Sequence, residues 1–235
     1  SNFLGVMFIA LNTAIKGKGL LHQINTSKSK HVIVENLFFD EVNNLKNTYK
    51  LDIEILNCGE LKNKELVKES EVTFGKLSDN VCTMFTSGTS GPSKGVMMPN
   101  AHCVLFAVGT IENYELKHDH IFYISLPLFH ANGLFMQLLA CIITGAKAII
   151  RKRFSASNWL KDIRKYDVTH TNMLGAIAAF VVAQPTSEHD KDHKLVVIGS
   201  APLPSEPERI FRERFGVKQV LPLYGMTEVN IPIYG

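Results

Sequence analysis

The segment TSGTSGPSKG, Thr86 to Gly95, carries most of the information in this chain. It follows the apolar run Val81-Cys-Thr-Met-Phe85 and precedes Val96-Met-Met. Gly88, Gly91 and Gly95 punctuate it, hydroxyls stand at Thr86, Ser87, Thr89, Ser90 and Ser93, and Lys94 supplies a cation. Glycines let a backbone close on a ligand and form an anion-binding concavity, hydroxyls donate to phosphate oxygens, and a lysine adds charge. The composition is that of a phosphate-cradling loop. It is not a Walker loop, because Ser93 precedes Lys94 and Gly95 follows it. On composition alone, a Gly/Ser hairpin between two strands fits equally well.

The surroundings bound the class. The chain has 235 residues, one large domain or two small ones. Hydrophobic residues make up 46% and charged residues 20%, which excludes a disordered or fibrous chain. Lys and Arg number 25 against 22 Asp and Glu, and a net charge of +3 is too small to argue for nucleic acid or an anionic membrane. The longest apolar stretch, Leu134 to Ala146, contains Gln137 and falls short of the roughly 18 residues of a membrane span. Cys58, Cys82, Cys103 and Cys141 form no CxxC pair or zinc spacing, and most sit in apolar runs. Buried reduced thiols are expected, and with them a reducing, cytoplasmic setting. The apolar start at Ser1 and the apolar end at Gly235 suggest a fragment cut at both ends.

Short runs that are apolar on both faces alternate with amphipathic ones. Strands are predicted at Gly5–Leu11, His31–Glu35, Leu51–Leu56, Cys82–Thr86, His120–Leu126, Ala146–Arg151, Val168–Met173, Leu195–Ile198 and Gln219–Leu223. Helices are predicted at Leu20–Asn25, Leu37–Asn47, Asn100–Tyr114, Asn132–Ile143, Ser157–Lys165, Gly175–Ala183 and Ser205–Phe215. The last opens on Ser-Glu-Pro-Glu, a capping box with Ser205 as N-cap, and Gly216 supplies its stop. Such alternation implies an α/β fold of layered, mainly parallel sheets with intervening helices. The Lys/Glu-rich stretch Asn57–Asn80 marks a subdomain seam.

Two further segments join the loop. LPLFHANGL, Leu126 to Leu134, ends one predicted strand and opens a helix, and LYGMTE, Leu223 to Glu228, ends another. With the loop read from Phe85 through Gly95, the set resembles the adenylate-forming, AMP-binding superfamily of acyl-CoA synthetases, luciferases and peptide-synthetase adenylation domains. Ser90 stands where that family has a second Thr, and Ser93 where it has Pro. The wording is closest to fatty-acyl and carnitine/crotonobetaine-type CoA ligases, and the resemblance runs along the whole chain. It implies a fragment of the large N-terminal domain, residues 1–235 forming part of the adenylation domain. The ribose-binding Asp and the small C-terminal lid with its catalytic Lys would follow Gly235.

The resemblance also implies roles. ATP and a small-molecule carboxylic acid would give acyl-AMP and pyrophosphate, with Mg²⁺ and the protein stabilising the charge, and the thiol of CoA would then accept the acyl group. Thr86, Ser87, Gly88, Thr89, Ser90, Gly91 and Lys94 would hold the β/γ-phosphates. Glu228 would bind Mg²⁺, Thr227 would touch the α-phosphate, and Tyr224 with Gly225 and Met226 would border adenine. Core packing is the alternative reading for Tyr224 and Met226, and the preferred one for Met226. Gly199-Ser200-Ala201-Pro202 would lie beside adenine and the acyl group, with Ser200 replacing the usual second Gly. His130 would border the acyl and thiol channel, and Gly175 would line the acyl pocket. The catalytic set is thus Lys94, Thr227, Glu228 and His130. The fragment alone is expected to be inactive. An acceptor other than CoA, such as a carrier-protein thiol, is one alternative; a non-catalytic nucleotide- or acyl-binding module is another. His118, His120, His189 and His193 read as polar-turn residues, and Arg209, Arg212 and Arg214 as a solvated helix face.

Overall fold

The alternation of short apolar runs and amphipathic stretches becomes strands and helices in the expected order in the structure, a computed structural model. Residues 6–60, 75–86 and 91–235 are described. The chain divides into two units, Ser1–Asn100 and Ala101–Gly235. The Asn57–Asn80 stretch lies within the first, and its residues 61–74 are outside the described residues.

The first unit contains β1 (Phe8–Ala10), α1 (Gly17–Ser27), β2 (His31–Val34), α2 (Asn36–Tyr49), β3 (Glu54–Asn57), β4 (Asn80–Thr86) and β5 (Lys94–Pro99). β2 and β3 pair in parallel from His31 opposite Glu54 to Val34 opposite Asn57. Leu20 and Ile24 of α1 and Val42 and Leu45 of α2, spaced i,i+4 and i,i+3, present one apolar face each. Those faces pack with Val32, Val34 and Ile53 into a single core. β4 pairs in parallel with β1 and antiparallel with β5. β5 was not expected as a strand. Its run is short and starts with Lys-Gly, yet it alternates, with Met97 65% exposed and Met98 fully buried.

The second unit is one six-stranded sheet with helices. α3 (Asn100–Asn113) enters it, followed by β6 (Ile121–Ile124), a π-helical segment Asn132–Leu139, α4 (Ala140–Thr144), β7 (Lys147–Ile150), α5 (Ala156–Lys165), β8 (His170–Leu174), α6 (Gly175–Val182), β9 (Val197–Ala201), α7 (Ser205–Glu213), β10 (Gln219–Met226) and β11 (Asn230–Tyr234). The strand order is β11-β10-β9-β8-β6-β7, all parallel except the antiparallel edge strand β11. β11 was also missed, because Pro232 in NIPIY argues against a strand except at an edge, where it sits. Trp159 and Ile163 of α5 meet Phe211 and Phe215, and the Trp159 ring centroid lies 6.2 and 5.8 Å from those two rings. Burying each such side chain contributes roughly 1.5–3 kcal/mol, so this cluster anchors the helices to the sheet.

Several local expectations need correction. The N-cap of α7 is Pro204, not Ser205, and no side chain caps the helix. Glu208 instead binds Arg212 at 3.0 Å, and Gly216 adopts φ +71° where the chain turns away. Arg209 and Arg212 do lie on an exposed face, but Arg214 does not. Its Nε donates to Asp190 Oδ2 at 2.6 Å, and its other nitrogens donate to the carbonyls of Val182, Gln184 and Pro185 at 2.8–3.0 Å. A guanidinium has five donors in a fixed fork, which suits it to gathering several loop carbonyls at once. His120 is likewise more than a turn residue, since its ring stacks on buried His170 at 4.4 Å. Cys82, Cys103 and Cys141 are buried as expected, and burial pushes the Cys103 and Cys141 thiols up to about 12. No helix among the described residues is long and apolar enough to cross a membrane.

Candidate functional site

In the first unit, the glycine-rich segment joins β4 to β5, with Thr86 opposite Lys94 and Phe85 opposite Gly95. It therefore does connect two strands of a hairpin. Ser87, Gly88, Thr89 and Ser90 lie outside the described residues. Gly91 has φ +118°, a conformation that disfavours any side chain. Lys94 is exposed and has no acidic partner among the described residues, so its charge is available to an anion. Helix α1 holds the far shoulder of the loop. His22 Nε2 donates to Ser93 O at 2.9 Å, and Gln23 Nε2 donates to Ser93 Oγ at 3.4 Å, from a side chain that is buried. Sequence reasoning missed both, since two polar residues on a helix carry no signal of a distant partner. A groove of about 560 Å³ among β1, α1, β2 and α2 contains none of the expected site residues.

In the second unit, the remaining segments all leave the carboxyl ends of parallel strands, where ligands of open α/β sheets gather. Leu126–His130 follows β6, Gly175 follows β8, Gly199–Pro202 closes β9, and Tyr224–Glu228 closes β10. Register fixes their adjacency: Ser200 stands opposite Met173 on one side and Pro222 on the other. Ser200 Oγ donates to Pro202 O at 2.8 Å, so its hydroxyl is turned into its own loop. A side chain at Gly175 would come within 2.8 Å of Pro202 O, so the β8 and β9 loops touch. The Ala201–Pro202 bond is cis.

Tyr224 and Met226 are 56% and 46% exposed. Core packing is thereby excluded for both, including Met226, for which it was expected. The alternating pattern of β10 explains this, because Leu221 and Leu223 point into the core and Tyr224 away from it. Thr227 and Glu228 form the turn into β11, and the Glu228 carboxylate is exposed. His130 is exposed and packs against Phe129 at 4.5 Å, and partial burial holds its pKa below the usual histidine value. Its backbone N–H donates to Pro127 O at 3.2 Å, closing the turn that precedes the π-helical segment.

A buried polar chain lies directly under these loops, and the sequence did not announce it. Gln137 Nε2 donates to Asn132 Oδ1 at 2.7 Å, and Asn132 Nδ2 approaches Asn172 Oδ1 at 3.5 Å. Asn172 Nδ2 donates to the Tyr114 hydroxyl at 2.8 Å, and burial, with Tyr234 nearby, raises the Tyr114 pKa well above 10.0 despite that bond. Gly199 exists for this chain: a Cβ there would lie 1.5 Å from the Tyr114 hydroxyl and 3.2 Å from Asn172 Nδ2. The strand-end backbone is thus seated on a hydrogen-bonded floor, which gives loops a fixed geometry.

The donor set also limits the metal chemistry. Among the described residues no group of three or more His, Cys, Asp and Glu side chains could cage an ion. His189 and His193 are accounted for otherwise, by Asp192 at 2.8 Å and by the Leu195 N–H at 3.1 Å. A single exposed carboxylate, Glu228, fits an ion such as Mg²⁺ that takes its other ligands from phosphate oxygens and water.

The family of AMP-binding enzymes matches residues 2–234. The chain belongs to that family. Among curated AMP-binding relatives, long-chain fatty acid transport protein 6 of Mus musculus is 28% identical over 242 residues, covering 97% of this chain and 39% of its own. Medium/long-chain-fatty-acid–CoA ligase FadD17 of Mycobacterium marinum is 28% identical over 235 residues, covering 97% and 45%. O-succinylbenzoate coenzyme A synthetase (MenE) of Bacillus subtilis, solved with AMP, superposes with TM-score 0.79 and 27% identity, covering 96% of this chain and 45% of that one. The same enzyme solved with ATP and magnesium gives TM-score 0.78 and 25% identity. The chain spans less than half the length of each of these AMP-binding relatives.

Proposed function

We propose that this chain forms part of an ATP-dependent acyl-CoA ligase acting on a medium- or long-chain fatty acid. The observation that carries the reading is the gathering of four expected segments at the carboxyl ends of adjacent parallel strands of the second unit: Leu126–His130, Gly175, Gly199–Pro202 and Tyr224–Glu228. The available charge of Lys94 beside Gly91 adds a cation suited to phosphate oxygens.

In this reading a carboxylate oxygen of the acid attacks the α-phosphorus of ATP, and the bond to pyrophosphate breaks. Thr86, Ser87, Gly88, Thr89, Ser90, Gly91 and Lys94 hold the β/γ-phosphates and stabilise the leaving charge. The exposed face of Tyr224 offers adenine a stacking surface, flanked by Gly225 and Met226. Thr227 donates to the α-phosphate. Mg²⁺, when bound by Glu228, supplies neutralising charge at the phosphates. In the second step the sulfur of CoA attacks the acyl carbon, the thiol proton is released, and AMP leaves. His130, whose pKa partial burial lowers, borders the acyl and thiol channel and helps to position the carboxylate. A fatty substrate is supported by the names of the two curated relatives above. The burial of Cys82, Cys103 and Cys141 accords with a cytoplasmic setting.

The full-length protein is mixed with ATP, Mg²⁺ and a panel of acids from C2 to C20, first without CoA. Acid-dependent exchange of labelled pyrophosphate into ATP is expected, and acyl-CoA should appear by mass spectrometry once CoA is added. Exchange without acyl-CoA would move the acceptor to another thiol, such as that of a carrier protein. No exchange with any acid would favour a non-catalytic nucleotide- or acyl-binding module.

A further inference from the structure

The N-terminal turn of α3 grips the turn between β10 and β11 from two sides. His102 Nε2 lies 2.9 Å from Thr227 O, and Asn230 Nδ2 donates to His102 O at 2.9 Å. A carbonyl only accepts, so Nε2 carries the proton. The imidazole stands edge-on to Phe106, one helical turn along, with centroids 5.3 Å apart and planes at 90°. Within the turn, Val229 N–H donates to Met226 O at 3.2 Å, and Met226 pairs with Asn230. Gly225 keeps this hairpin tight, since a Cβ there would meet Asn230 O at 2.3 Å.

A peptide unit is planar and trans, so holding Thr227 O holds the whole Thr227–Glu228 plane. The Cα atoms that carry the Thr227 hydroxyl and the Glu228 carboxylate are therefore placed by the histidine. The Glu228 side chain is exposed and has no ion pair among the described residues. Without an anchored backbone, ordering it around an ion would carry the full entropic cost of a mobile turn. We infer that His102 is a positioning residue that fixes Thr227 and Glu228 for the α-phosphate and the metal. The inference rests on the function proposed above. It also differs from a general helix-start role, because the gripping atom is a side-chain donor aimed at one carbonyl.

Two substitutions separate donor from shape in the full-length protein. His102→Phe keeps the ring against Phe106 and removes the donor, and His102→Gln keeps a donor of similar reach. His102→Asn, whose amide is too short for Thr227 O, is a second donor-lacking variant should the phenylalanine fail to fold. Backbone hydrogen exchange of residues 226–230 reads the grip without turnover, and the Mg²⁺ concentration for half-maximal pyrophosphate exchange reads its consequence. The donor-lacking variants should exchange faster in that turn and need about fivefold more Mg²⁺, the equivalent of one lost hydrogen bond. The glutamine variant should restore both. Unchanged hydrogen exchange in His102→Phe would overturn the grip. Faster exchange with an unchanged Mg²⁺ requirement would reduce His102 to a structural role and overturn the inference. Absence of pyrophosphate exchange in the unmodified protein would overturn the ligase reading and this role with it, while hydrogen exchange would still report the grip by itself.

Discussion

Placing a methyl group on Gly199 tests whether the strand-end loops depend on the polar floor beneath them. The added Cβ would sit 1.5 Å from the Tyr114 hydroxyl and 2.6 Å from its Cζ, so one of them must move. Tyr114 is fully buried and has no open direction to retreat into. Overpacking of this kind costs roughly 1–3 kcal/mol, and displacing the hydroxyl also loses the Asn172–Tyr114 bond, about 1 kcal/mol. Gly199→Ala should therefore destabilise by about 2–4 kcal/mol, or roughly 4–16 °C in Tm for a chain of this size. Thermal unfolding by circular dichroism measures it. Tyr114→Phe removes the atom at 1.5 Å, so in the Gly199→Ala background it should recover a large part of the loss, although alone it is mildly destabilising. An unchanged Tm for Gly199→Ala, or a double variant no better than the single, would refute the reasoning.

Three other perturbations have definite expected outcomes. Arg214→Met should cost about 3–5 kcal/mol in urea unfolding, because it leaves the Asp190 carboxylate, 4% exposed, without its counter-ion; adding Asp190→Asn should return most of it. His170 is held down to about 4 by burial, then by His120 nearby, against the opposing bond to Tyr114 O, and His193 is lowered mainly by burial too. Depressed histidines stabilise fully above their unfolded pKa of 6.5 and lose that contribution as pH falls, so unfolding free energy should drop by about 3 kcal/mol between pH 7 and pH 4 from His170, and His170→Gln should flatten that slope. Glu228→Gln in the full-length protein should raise the Mg²⁺ needed for half-maximal adenylation about tenfold without lowering Tm, and an unchanged requirement would return Glu228 to an ordinary turn carboxylate.

The parts of the fold that read well from sequence are those whose burial pattern is local. β2, β6, β8 and the helix Asn100–Asn113 have apolar periodicity that no other element could share, and they fell where expected. β5 and β11 did not, because an antiparallel edge is paired by backbone groups that any side chain permits, and Pro232 and Lys94-Gly95 obscured the little pattern there. The π-helical winding of Asn132–Leu139 was equally invisible, since eight residues cannot separate a period of 3.6 from a slightly larger one. For the site, the strand-end segments were legible because topology alone sends them to one end of a parallel sheet. The supporting residues were not. Arg214, Asn172, Tyr114 and His102 act through partners 24 to 125 residues away, and nothing in a local window records such a pairing.

Separating the two half-reactions in Lys94→Ala tests the central claim that the glycine-rich hairpin holds the β/γ-phosphates and so serves adenylation rather than thiol transfer. In the full-length protein, formation of acyl-AMP from ATP and a fatty acid is followed by rapid quench, and thiol transfer from supplied acyl-AMP is followed separately. Removal of one preorganised charge at the leaving pyrophosphate should slow the first step by about 10²–10³. The second step, in which no pyrophosphate takes part, should stay close to its original rate. An equal loss in both steps would contradict the account.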